Sequence, residues 1–149
     1  VGLTDIAHAR ARDRAEGGRA PDGPTARCRG LAGMPGPAET VAMARDLLLV
    51  EPSGVRAHFS QLTSARGAAL IARAQARGLP VTADVALYQL ILTDEALIDF
   101  SSLHHVQPPL RTRADRAGLR DAVTSGVIQA LPRHPPPPDP AAQLPPLCA

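Results

Sequence analysis

Five histidines, two cysteines and 14 carboxylates are the groups in this 149-residue chain able to hold a metal, move protons or attack a carbonyl. Their spacing matches none of the compact signatures of that chemistry. There is no His-x-His or His-Glu-x-x-His run, no Cys-x-x-Cys pair and no glycine-rich phosphate loop. His58, His104 and His105 are the candidates. His58 falls inside a strand, where a packed imidazole satisfied by its neighbours is the ordinary reading and metal ligation the alternative. His104 and His105 are adjacent in a loop, and successive residues of an extended chain point to opposite sides, so the two cannot easily grip one ion. Arg66, Arg73 and Arg77 gather on one side of a helix. That cluster reads as a solvated outer face, with an anion site as the alternative.

The elements that must position these side chains follow from periodicity and punctuation. Val55 to Ser60 reads as a strand, Ser64 as the cap of an Ala/Arg helix ending before Gly78, and Pro80 to Ala86 as a second strand. Strand, helix, strand is a βαβ unit and predicts a parallel sheet. In the helix, Ala65, Ala68, Ala69, Ile71, Ala72 and Ala76 fall in one arc. Upstream, Pro37 suits a first helical turn, and a helix is expected from Ala38 to about Val50 with Val41, Ala44, Leu48 and partly Leu47 inward. Glu39 near its start favours the positive helix end, and Pro52, Ser53 and Gly54 stop it. Downstream, a short helix is expected over Thr93 to Ile98, with loop to Arg111. Thr112 and Asp115 form a capping box for a helix to about Thr124, Ser125-Gly126 closes it, and Val127 to Leu131 is the last strand.

Three segments result: residues 1–36 as an irregular N-terminal loop segment, 37–131 as the patterned α/β part, and 132–149 as a tail. The tail holds eight of the 16 prolines and reads as polyproline II or disordered, with docking to an aromatic groove as the alternative. The length suits one domain with a real core. A formal charge of +2 comes from 16 arginines and no lysine, scattered among the acids. This lacks the clustered stripe of a nucleic-acid binder, and Phe59, Tyr88 and Phe100 are too few for stacking platforms. Cys28 and Cys148 lie far apart, which fits a reducing compartment better than a disulfide framework. No run approaches the roughly 20 apolar residues needed to cross a bilayer, so a soluble cytoplasmic protein is the expectation. The first residue is Val, which is compatible with a piece of something longer.

Taken together, several runs carry a resemblance. They are His58-Phe59-Ser60-Gln61-Leu62-Thr63-Ser64, Gly78-Leu79-Pro80-Val81-Thr82-Ala83-Asp84-Val85, Leu92-Thr93-Asp94-Glu95 and Gln107-Pro108-Pro109-Leu110-Arg111, with Gly33-Met34-Pro35 and Ala38-Glu39 before them. In wording and spacing, over about residues 17 to 131, the chain resembles the dihydroorotases of the amidohydrolase superfamily. The resemblance implies the C-terminal part of a (β/α)8 TIM-type barrel, incomplete, with metal and substrate groups at the C-terminal strand ends. Active relatives interconvert carbamoyl aspartate and dihydroorotate, using zinc to activate water and polarise a carbonyl.

The same resemblance implies that the site is altered. The zinc-binding second His of the family's His-x-x-His-x-Ser strand corresponds to Gln61, and a metal aspartate corresponds to Arg133, or to His134 if the register slips by one. An upstream metal histidine falls near Arg10, with His8 two residues out of register. The substrate-contacting Asn before Pro-Pro-Leu-Arg corresponds to Gln107. No catalytic residue, metal ligand or cofactor is therefore expected. The pattern most resembles the non-catalytic dihydroorotase-like subunits that assemble with the aspartate carbamoyltransferase catalytic subunit. That implies a hetero- or homo-oligomer in pyrimidine biosynthesis, without nucleic-acid or membrane partners. A fragment of an active zinc dihydroorotase and a non-functional truncated remnant are the alternatives. A partial barrel leaves unpaired strand edges, so the chain alone is expected to associate.

Overall fold

In the computed structural model the described residues are 4–7, 20–21, 33–34, 37–99 and 108–132. Strand β4 (Arg56–Phe59) shows a clean period of two, with Ala57 and Phe59 buried and Arg56 and His58 turned the other way. Strand β5 (Val81–Ala83) repeats it, burying Val81 and Ala83 while Thr82 is exposed. One face of the sheet therefore packs on helices and the other carries polar side chains. Strand β1 (Thr4–Ala7) pairs parallel with β4, Asp5 opposite Ala57, and β4 pairs parallel with β5, His58 opposite Thr82. The sheet order is β1-β4-β5. Two short strands, β2 (Ala20–Pro21) and β3 (Gly33–Met34), form a separate parallel pair.

Helix α1 (Pro37–Ser53) and helix α2 (Ala65–Ala76) cover the apolar face. Helix α3 (Leu87–Ile91) and a 3-10 helix (Asp94–Asp99) follow β5, and helix α4 (Arg113–Thr124) packs against α2 and α3. The core joins Met43 of α1, Phe59 of β4, Ile71 of α2, Ala83 of β5 and Leu119 of α4, all fully buried. Caps act as expected. The Ser64 hydroxyl accepts from Gly67 N–H at 3.0 Å, and the Thr112 hydroxyl accepts from Asp115 N–H at 3.2 Å. Gly78 and Gly126 have φ of +80° and +79°, the left-handed conformation that ends a helix with least strain in glycine. Asp115 also accepts from Ala65 N–H at 3.0 Å, so one carboxylate serves the first turns of both α2 and α4. Those helices cross closely: a Cβ at Gly118 would lie 2.5 Å from the Ala65 Cβ.

The parallel βαβ unit, α2, α4 and their caps match the sequence reading. Several details do not. Thr4–Ala7, read as loop, is a strand, because pairing with β4 overrides a weak local pattern. The buried face of α1 is Ala38, Glu39, Ala42, Met43 and Val50, whereas Val41 and Leu48, expected inward, are 50% and 69% exposed. The helix is apolar on two sides, so its periodicity could not say which side meets the sheet. On α2 the buried residues are Gly67, Ala68, Ile71 and Ala74; Ala68 and Ile71 belong to the expected arc, whereas Ala69 and Ala76 of that arc are exposed. Close approach to α1 at Gly67, where a Cβ would come 3.0 Å from Glu39 Oε1, sets that orientation. The second strand stops at Ala83, and Leu87–Ile91 is helical. The expected last strand is reduced to one parallel bridge, Asp84 with Ala130. There the Gln129 side-chain oxygen takes Ala83 N–H at 3.1 Å, a position a regular ladder would fill with backbone. His104, His105, Phe100, both cysteines and most of the proline tail lie outside the described residues. Among the described residues no helix is long and apolar enough to cross a membrane.

Candidate functional site

The polar face of the sheet ends in a cluster around Asp84, just beyond β5. Because side chains alternate along a strand, His58 and Ser60 reach the same side as Thr82 and Asp84. The His58 Nε2 lies 2.8 Å from Asp84 Oδ2 and its Nδ1 lies 2.8 Å from Thr82 Oγ1. A carboxylate only accepts, so Nε2 donates to Asp84, and in the neutral imidazole Nδ1 then accepts the Thr82 hydroxyl proton. Ser60 Oγ donates to the same Asp84 oxygen at 3.0 Å, and the Gln61 N–H donates to Oδ1 at 2.6 Å. Asp84, 6% exposed, thus has both oxygens engaged, and His58 has both ring nitrogens engaged. His58 is the satisfied strand histidine expected from sequence.

Gln61 stands at the turn where β4 gives way to α2, with φ of +59°. A glutamine there carries local strain of about 1 kcal/mol, held by the Asp84 bond and by Leu62 N–H donating to the Asp84 carbonyl at 3.0 Å. Among the described residues, no group of three or more His, Cys, Asp or Glu comes together in a way that could hold a metal.

A second polar group, missed by sequence reasoning, joins the start of α1, the entry to α2 and the Pro-Pro-Leu-Arg turn. Glu39, buried in the first turn of α1, accepts from Thr63 N–H at 2.8 Å and from the Thr63 hydroxyl at 2.7 Å. Arg111, also buried, donates through Nε to Thr63 Oγ1 at 3.1 Å. Gln89 fastens the preceding turn, its amide donating to the Pro108 carbonyl at 3.0 Å and the Pro109 carbonyl at 3.1 Å. The Pro-Pro-Leu-Arg turn is therefore anchored inward, with Leu110 fully buried. Glu39 had been read only as a helix-end charge. Its place and that of Arg111 within the family-like runs was the available signal that both are fixed by more than local structure. Of the other sequence-derived positions, Gln107, Arg133, Arg10, His8 and His134 lie outside the described residues. Arg66, Arg73 and Arg77 are exposed on α2, on the helical side of the sheet and remote in the fold from the Asp84 cluster.

No family model matches the chain. It is 72% identical over 132 residues to the dihydroorotase-like protein of Pseudomonas aeruginosa, a match covering 89% of this chain and 31% of that protein. The D-hydantoinase (dihydropyrimidinase) from Thermus sp. superposes with a TM-score of 0.76 at 20% identity, covering 94% of this chain and 32% of that one. This likeness is one of fold, and makes the α/β unit part of a TIM-type barrel. The inactive dihydroorotase-like domain of the Chaetomium thermophilum CAD-like multifunctional protein matches with a TM-score of 0.51 and 30% identity, covering 63% of this chain and 25% of that one. The chain spans about a third of the length of the curated relatives it matches. By its sequence the chain belongs to the dihydroorotase family, and its fold is part of a (β/α) barrel.

Proposed function

We propose that this chain is part of a cytoplasmic dihydroorotase-like protein of pyrimidine biosynthesis that does not turn over dihydroorotate and acts as a structural subunit for aspartate carbamoyltransferase. One observation carries the loss of catalysis: at the family's zinc-ligand position stands Gln61, and the groups nearest to it are already committed to one another. A neutral amide is a weak zinc donor compared with imidazole or thiolate. Both His58 nitrogens and both Asp84 oxygens lie in hydrogen bonds within the protein. Binding zinc there would break three or four bonds in a nearly buried site, so the residues present do not suit the ion. Arg133 at the position of a metal carboxylate would add a cation to a cation site. The inactive domain among the structural matches is consistent with a family that keeps the barrel without the reaction.

The test is to purify the protein, measure bound zinc, assay dihydroorotate hydrolysis and probe for aspartate carbamoyltransferase in the same preparation. No stoichiometric zinc, no turnover and co-purification of the transferase are the expected results. Stoichiometric zinc with turnover would overturn the non-catalytic reading and leave a fragment of an active enzyme. Absence of the transferase from an intact, inactive protein would overturn the partner.

A further inference from the structure

We draw no further inference here: the strongest candidate, the outer trough between α1 and α2 lined by Leu47, Leu48, Leu70 and Arg73, carries none, because the chain spans about a third of its relatives' length and nothing in the structure shows what covers that face.

Discussion

The polar layer that ties the start of α1 to the strand ends and the outer trough between α1 and α2, lined by Leu47, Leu48, Leu70 and Arg73, solve opposite problems. At the strand ends, Glu39, Thr63, Asp84, Gln89 and Arg111 are buried polar groups whose hydrogen bonds are made inside the protein. Burial makes each missing bond expensive, so such a layer is closed and specific. In the trough, apolar side chains and arginines are left to solvent. Among the described residues, the polar layer is closed within the protein and the trough is open to solvent.

The contrast can be broken most directly at Glu39. Replacing it with alanine strands the Thr63 N–H and hydroxyl in the interior, and unfolding by denaturant should show a loss of about 3 kcal/mol. A change near zero would mean the layer is not locked. Asp84→Asn keeps the shape but sets an amide where His58, Ser60 and Gln61 all donate, and a loss of about 2 kcal/mol is expected, with a shift of the His58 ring nitrogen resonances. Gln61→Gly should act in the other direction. Relief of the left-handed strain is expected to raise stability by about 0.5 kcal/mol, read from the same curves. On the open side, Leu48→Asp should change stability by less than about 0.5 kcal/mol. A large loss there would mean that Leu48 already packs on something within the chain.

What could be read in advance divides along similar lines. Ser64, Gly78, Thr112 with Asp115, and Gly126 act within a few residues of themselves, so the caps were legible. The parallel βαβ order was legible from periodicity and punctuation, and the bonded state of His58 from the rule that a packed imidazole finds partners, although those partners, Thr82 and Asp84, stand 24 and 26 residues away. The inward face of α1 was not. Val41-Ala44-Leu48 and Ala38-Ala42-Val50 are two competing stripes on one helix, and the choice between them is made by Gly67 on another. The polar layer was hidden because Glu39, Thr63 and Arg111 are 24 and 48 residues apart and meet only after the sheet has formed. Gln61 was marked by family resemblance, but its positive φ and its tie to Asp84 depend on where β5 ends.

The carboxylate of Asp115 reaches from its own capping box to the first N–H of α2, 50 residues earlier in the chain. Two helix ends that would ordinarily fray independently are thereby joined at one atom group. In amide hydrogen exchange, Ala65 and Asp115 should open together rather than separately, and a single replacement at Asp115 should release both. The unit of cooperative opening in this molecule is then the pair of helices, and neither helix alone.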